Sequence, residues 1–445
     1  MKRTASMGVL TACLLGGLAA SQAPKAAPVL DAATRKAVES LATEFFKARP
    51  ATRFEEWDSQ KRTELLKRAD ALSIPEGATR ELRPLLWKIA RAHGPLLDGT
   101  KPLESRWGKG AYDVVNPPSK TAGSQFGCLI GLHGGGEGAG DKGEAKGNWS
   151  TPLTKHKLLG IYPQAIRLVH DAWNTAEGER FVLTLMDMAK RTYDLDPDRI
   201  FVAGFSMGGT GSWYLAGRYP QFFAGAMPFH GVIFAADKYK VADEKEFQHG
   251  LVPNVRHVPM YYTTGSVDAN CPPASYVFAG KLLEKWRAKH TDGYDVNFRC
   301  VDGLAHAFPP GEPGKAFEWL LPRKRKTFPK TLTWEAQIEH VWPPGADWPL
   351  VKDFYWLRCT EPTEKMCVEA VIEGQNIQID VQRHAPTGFR VYLSPELVDV
   401  AKPVTVLANG EKKYEGTPAP SLAAMLESLD VWYDRSRILD RKVDF

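Results

Sequence analysis

Apolar positions recur along this chain in three successive rhythms. From residue 28 to 97 the spacing is helical: Leu65, Leu66, Ala69 and Leu72 make one stripe, and Leu82, Leu85, Leu86 and Ile89 a second. Three helices fit that stretch. Thr52-Arg53-Phe54-Glu55 and Ser73-Ile74-Pro75-Glu76 have the form of capping boxes, the second with proline at a favoured early position. The segment is expected to be a stabilising cap or pro-segment rather than a substrate lid. From about residue 112 to 321, continuous apolar runs alternate with amphipathic ones. Phe126-Gly127-Cys128-Leu129-Ile130-Gly131-Leu132 has the unbroken apolar character of a parallel strand covered on both faces. Further strands are expected at 161–163, 200–203, 259–264 and 296–301, with a helix at 179–193 between the second and third. This βαβα rhythm predicts a doubly wound, mostly parallel sheet whose chemistry lies beyond its C-terminal strand ends. Past Pro329 the period falls to two, in 368–373, 377–381, 389–393 and 404–407, and Asn409-Gly410 is a strong hairpin signal. A small antiparallel β-domain, a sandwich, is expected over 330–445.

The first residues follow none of these rhythms. Lys2-Arg3, an apolar stretch from 9 to 20 and small residues around Ser21-Gln22-Ala23 match a secretory signal, too short to span a membrane. Leu10-Thr11-Ala12-Cys13 also fits a lipoprotein cleavage site, although almost no apolar region would precede Cys13, so export without a lipid anchor is the preferred reading. The expected plan is a signal at 1–23, a helical segment at 24–105, a catalytic domain at 106–325 and the β-domain at 330–445.

Composition narrows the partners. The 445 residues are 43% hydrophobic and 24% charged, ordinary for a globular protein. The net charge of +5 loses two units with Lys2 and Arg3, leaving too little basic excess to imply nucleic acid or anionic membrane. Arg323-Lys324-Arg325-Lys326 is expected to be a solvated linker. Of the six cysteines, Cys359 and Cys367 flank a turn and could be bridged, as could Cys271 and Cys300. Cys128 is expected to be a buried thiol, and spacing alone does not fix the pairing.

The candidate chemistry centres on Gly204-Phe205-Ser206-Met207-Gly208, a serine flanked by glycines between an apolar run and the helical stretch Ser212-Trp213-Tyr214-Leu215-Ala216. That is the pattern of a nucleophile elbow, a turn so tight that only small residues fit two before and two after the serine. A serine hydroxyl needs a base, a group that orients the base, and donors for the oxyanion. The acid should sit just past a strand, as Asp268 does in Gly265-Ser266-Val267-Asp268-Ala269-Asn270, where a plain turn-forming aspartate is the alternative. The base should lie in a loop after the last strand, which selects His306; His290 falls on a charged helix, and His340 and His384 in the appended domain. His133-Gly134-Gly135-Gly136 follows a strand, so one oxyanion donor is expected from the amide of Met207 and the other from the glycine loop, with Gly134 and Gly135 named first. No Gly-Lys-Ser/Thr follows, which argues against a phosphate loop, and His133 is expected to brace the turn. Trp173 and His230 each follow a strand on the side of the site, as pocket-lining candidates or as ordinary packing. No metal or cofactor is expected.

Together, Leu132-His133-Gly134-Gly135-Gly136, Asp196-Pro197-Asp198-Arg199-Ile200, Gly204-Phe205-Ser206-Met207-Gly208-Gly209 and Gly303-Leu304-Ala305-His306 resemble the α/β-hydrolase superfamily, nearest its secreted polyhydroxybutyrate depolymerase and feruloyl or acetylxylan esterase group. The resemblance covers about residues 112–321. It implies an α/β-hydrolase fold, a triad of Ser206, His306 and Asp268, and ester hydrolysis through an acyl-enzyme, on a small or polymeric ester. A peptidase of the prolyl-oligopeptidase type shares these motifs, but the helical segment is too short for the propeller such enzymes carry. In a third reading, Trp334, Trp342, Trp348, Tyr355 and Trp356 form a polysaccharide- or polyester-binding surface beside an incidental hydrolase domain.

Overall fold

The computed structural model describes residues 30–99, 101–120, 126–232, 251–336, 350–364 and 366–445. The expected signal, Cys13, Trp342 and Trp348 lie outside them. Three helices open the described chain: α1 (Ala32–Ala48), α2 (Ser59–Asp70) and α3 (Thr79–Arg91). Their starts differ from the expected capping boxes. Asp31 and Asp58 cap α1 and α2, each accepting two amide hydrogens. Tertiary contacts claim the residues of both boxes. Arg53, within the first, donates to Asp187 at 2.9 Å, and Glu76 of the second accepts from Arg441 at 2.6 Å.

A short hairpin, β1 (Leu103–Ser105) and β2 (Gly108–Gly110), leads into the central layer. That layer comprises β3 (Tyr112–Val115), β4 (Gly127–Leu132), α4 (Lys142–Trp149), α5 (Leu153–His156), β5 (Leu158–Pro163), α6 (Ala176–Tyr193), β6 (Ile200–Phe205), α7 (Met207–Arg218), β7 (Gly225–Phe229), β8 (Met260–Gly265), α8 (Ala274–Lys289), β9 (Val296–Val301) and α9 (Glu312–Leu320). The sheet runs β3-β5-β4-β6-β7-β8-β9, with β3 antiparallel to β5 and the other pairs parallel. Both faces are covered, which is why β4 is apolar throughout. Leu129 joins a core with Trp149, Phe201 and Phe317, while Ile130 and Leu132 join one with Trp173, Phe181 and Trp213. The chain winds to opposite sides of β4 through β5 and β6. The loops after β4 and β6 therefore part at this switch point, the place where open α/β sheets carry their sites.

The remaining strands are β10 (Thr331–Glu335), β11 (Asp353–Phe354), β12 (Leu357–Glu361), β13 (Cys367–Glu373), β14 (Asn376–Arg383), β15 (Thr387–Leu393), β16 (Val404–Ala408) and β17 (Glu411–Gly416), followed by α10 (Leu422–Trp432) and β18 (Arg441–Asp444). They form a five-stranded sheet, β10-β13-β14-β16-β17, and a four-stranded one, β11-β12-β15-β18. The expected all-antiparallel pattern is broken by β14 and β16, which pair in parallel. Asn409 and Gly410, at φ 49° and 79°, make the expected turn between β16 and β17.

Three further expectations, on the aromatic cluster, Arg325 and the cysteine bridges, are corrected here. Trp334, Tyr355 and Trp356 are at most 2% exposed, with Trp334 stacked on Phe354, so these three serve packing rather than a binding surface. The helical segment shares a core with the C-terminal chain: Leu65, Leu82 and Leu86 pack with Leu426 and Leu429 of α10. Arg325 is no solvated linker residue but a buried clamp, bonded to Asp198 at 2.7 Å and Asp434 at 2.6 Å. Finally, neither suggested bridge forms: Cys271, Cys300, Cys359 and Cys367 are free thiols, Cys359 and Cys367 belong to different sheets, and Cys271 is buried where Cys300 is exposed, while Cys128 is the buried free thiol expected. Among the described residues no helix is long and apolar enough to cross a membrane.

Candidate active site

β6 ends at Phe205, α7 begins at Met207, and Ser206 between them sits at φ 56°, ψ −121°. A non-glycine residue in that region is strained and persists only where its surroundings over-determine it. Three glycines supply the constraint. A Cβ on Gly204 would fall 2.2 Å from Gly208 O, one on Gly208 2.2 Å from Leu132 O, and one on Gly209 2.2 Å from Phe229 O. Only hydrogen fits, so α7 packs hard against β4 and β7. The Ser206 amide completes the turn by donating to Phe229 O at 2.9 Å.

The acid and base loops are laced together by the same logic. A Cβ on Gly265, at the end of β8, would meet Leu304 O at 2.1 Å, so the loop after β9 crosses directly over it. Val267 donates to Leu304 O at 3.2 Å, and the Gly303 amide to Ser266 Oγ at 2.8 Å. That crossing carries His306 to Asp268. His306 Nδ1 lies 2.8 Å from Asp268 Oδ2, and its Nε2 lies 2.9 Å from Ser206 Oγ. Three side chains separated by up to 100 positions are thus within bonding reach, in the expected order. Asp268 is 3% exposed, while Ser206 and His306 are half-buried and open to a reactant.

Hydrogen bonding governs the charge state of Asp268. Burial pushes its carboxyl up, but the Cys271 amide and the imidazoles of His306 and His230 outweigh this and hold it below the ordinary value. An ionised carboxylate only accepts, so His306 carries its hydrogen on Nδ1 and presents a bare Nε2 to the serine hydroxyl. Glu144 nearby is pushed up by burial and by Asp141.

The glycine loop after β4 lies alongside the nucleophile, a Cβ on Gly134 falling 3.4 Å from Ser206 Cβ. Gly135 has φ 124°, and its Cβ would meet Ala139 O at 2.2 Å, so this turn demands glycine. The Gly136 amide is committed to Ala139 O at 3.0 Å. His133 is fully buried, with Nδ1 2.6 Å from Gly134 O and Nε2 accepting from the Ala165 amide at 3.0 Å, so it braces the loop as expected. Burial holds its pKa down. Met207 is the first residue of α7, where an amide lacks an intrahelical acceptor.

The two pocket candidates lie elsewhere than expected. Trp173 is 0% exposed, and its Nε1 donates to His133 O at 3.0 Å, bracing the glycine loop from beneath rather than lining a pocket. His230 is also 0% exposed, and its Nδ1 lies 2.9 Å from Asp268 Oδ2. Reading the chain missed this second imidazole on the acid. The available signal was a histidine directly after an apolar strand, in register with the serine, since Phe205 and Phe229 are paired.

His230, Asp268 and His306 bring potential ligand atoms within 4.8 Å of one another. The spacing suits shared protons better than a metal. The contacts of 2.8 and 2.9 Å are hydrogen-bond lengths, whereas ligands of a tetrahedral zinc stand about 3.3 Å apart.

Sheet order and the strand–turn–helix at Ser206 are those of an α/β-hydrolase fold. Residues 171–308, less than half of the chain, match the family described as "Putative esterase". Among solved structures it is similar to a thermostable esterase, at 19% identity and TM-score 0.38 over 49% of this chain and 60% of that one. It is also similar to the acetyl xylan esterase of Aspergillus awamori, at 18% and 0.37 over 47% and 93%. Esterase 2 of Thermogutta terrifontis follows at 13% and 0.38 over 51% and 93%. The chain thus spans only 60% of the thermostable esterase. No curated protein matches it.

Proposed function

We propose that the protein is an exported serine hydrolase of carboxylic esters, short-chain, aromatic or polymer-linked, acting through Ser206, His306 and Asp268. The observation that carries the reading is the 2.9 Å contact between His306 Nε2 and Ser206 Oγ, with the opposite nitrogen 2.8 Å from Asp268. As Ser206 Oγ attacks the ester carbonyl, His306 Nε2 takes its proton, and Asp268 stabilises the imidazolium. The amides of Met207 and of Gly134 or Gly135 receive the developing oxyanion; losing one such donor costs about 10²–10³ in rate. The tetrahedral intermediate collapses, and the alcohol departs with the proton from His306. A water activated by His306 then cleaves the acyl-enzyme and regenerates the serine. Export rests on the character of residues 1–23.

The test is a series of p-nitrophenyl esters from acetate to octanoate, run beside feruloyl esters, acetylated xylan and peptide anilides. Esters are expected to turn over faster than anilides, and the preferred member identifies the acyl group. Faster turnover of the anilides would overturn the ester reading in favour of an amidase.

A further inference from the structure

The unusual feature of this site is that one carboxylate serves two imidazoles. Asp268 Oδ2 lies 2.8 Å from His306 Nδ1 and 2.9 Å from His230 Nδ1, while Oδ1, 3.0 Å from His306 Nδ1, accepts the amides of Asn270 at 3.0 Å and Cys271 at 2.8 Å. We propose that His230 is a positioning residue for the reaction, its Nδ1–H fixing Asp268 in the one orientation from which the carboxylate can orient His306. The inference rests on the roles assigned above to Ser206, His306 and Asp268.

The backbone holds His230 in place to do this. It follows β7 directly, at φ 49°, and its amide donates to Thr263 O at 2.8 Å. The preceding residue, Phe229, accepts the Ser206 amide, so nucleophile and second imidazole are fixed to one peptide. The two imidazoles stand 6.0 Å apart in a T arrangement, and the Phe205 ring contacts both, at 5.4 Å from His230 and 5.1 Å from His306.

His230 is suited to a fixed role rather than a titrating one. Its ring is fully buried, and burial keeps it neutral. Its Nε2 has no hydrogen-bond partner among the described residues. A fold selecting only for stability would fill that position with an apolar ring, because a bare buried acceptor is destabilising. Retaining the imidazole makes sense if the Nδ1–H is what the site needs. With two donors on Oδ2, the carboxylate cannot rotate away from His306, and its lone pairs are divided between two acidic hydrogens. Removing one donor leaves Asp268 a stronger acceptor for His306, which favours the imidazolium. The other titratable groups facing this cluster are Glu144 from α4, Cys271 from the acid loop and Tyr276 from α8.

The experiment compares His230→Phe and His230→Asn in the full chain, reading kcat, KM, the pH profile of kcat/KM, and the melting temperature. Phenylalanine keeps the ring and removes the donor; asparagine places an N–H where Nδ1 stood. For H230F, kcat is expected to fall about 10- to 100-fold, the cost of a charge-assisted hydrogen bond, with KM nearly unchanged. The acid limb should move to higher pH, and the melting temperature should hold or rise. H230N should recover most of the lost kcat. Should H230F fail to fold, H230L reads the same loss. Wild-type kcat with an unmoved acid limb in H230F would overturn the role, as would an H230N no better than H230F. A Ser206→Ala variant separates the two levels. Hydrolysis surviving in S206A would overturn the nucleophile assignment, whereas an inactive S206A beside a fully active H230F would overturn only the part given to His230.

Discussion

Replacing Asp268 with asparagine should abolish nearly all activity while leaving the fold intact, for a reason visible in its hydrogen bonds. Among the described residues the hydrogen-bond partners of this carboxylate are donors: the amides of Asn270 and Cys271 on Oδ1, the His230 imidazole on Oδ2, and the His306 imidazole across both oxygens but nearer Oδ2. An amide offers one oxygen only. If that oxygen stays with the two backbone amides, the new NH₂ takes the Oδ2 place, 2.8 Å from His306 Nδ1 against 3.0 Å for the oxygen, and favours the His306 tautomer with its hydrogen on Nε2. That hydrogen then points at Ser206 Oγ, and the base cannot accept the serine proton. Turning the amide over sets its NH₂ against two backbone N–H groups, which is no better. Loss of the correct tautomer costs about 10⁴ in kcat in a triad, or about 5.4 kcal/mol of transition-state stabilisation. The assay is steady-state hydrolysis of p-nitrophenyl acetate by D268N and by the S206A/D268N pair, with circular dichroism to verify folding. Residues acting as one unit are non-additive, so the double variant should be no slower than S206A alone. A folded D268N losing less than about tenfold in kcat, or losing only in KM, would refute the reasoning.

Three further outcomes follow from contacts elsewhere. Gly208→Ala must part α7 from β4 by about 1 Å, because its Cβ would sit 2.2 Å from Leu132 O; kcat should fall about a hundredfold, and near-normal kinetics would contradict the close packing. Arg325→Met should destabilise the protein by about 3 kcal/mol in urea unfolding, since it takes the bonded guanidinium from the buried Asp434, leaving it Ser436 and the charges of Lys190 and Arg437, yet leave kcat per folded molecule unchanged; a neutral substitution would show that the clamp contributes little. Asp187, Asp430 and Asp434 are pushed up by burial but held lower still by arginines at 49, 53, 62 and 325. Folded values below the unfolded one mean that this stability is complete above about pH 4–5 and drains as pH falls through the folded values. Thermal melts should therefore show a steep fall on the acid side, and a melting temperature indifferent to acid would contradict it.

What could be read along the chain, and what could not, divides on physical grounds. The elbow was legible because Gly204 and Gly208 have no room for a Cβ, and the strands around it because both faces of the sheet are covered. Asp268 and His306 followed from order, since sequential strands place their trailing loops at one end of the sheet. The capping boxes were misread because arginine contacts from Arg53 and Arg441 reach across the molecule and claim the local residues. The aromatic cluster was ambiguous because composition does not distinguish a buried Trp334 from a solvent-facing one. The spacing of Cys359 and Cys367 suggested a bridge, but the turn between them leads from one sheet to the other. His230 was placed beside the site by its strand, but its bond to Asp268 was not legible, because nothing local marks a histidine as the partner of an aspartate 38 positions on.

The central claim, that Ser206 is the nucleophile of an assembled triad, is tested most directly by covalent labelling. The wild-type protein is treated with a fluorophosphonate, digested and mapped by mass spectrometry, with residual esterase activity followed in parallel. One adduct on the peptide carrying Ser206, formed in step with loss of hydrolysis and absent from S206A, is the predicted result. An adduct on another residue, or full hydrolysis after Ser206 is modified, would contradict it.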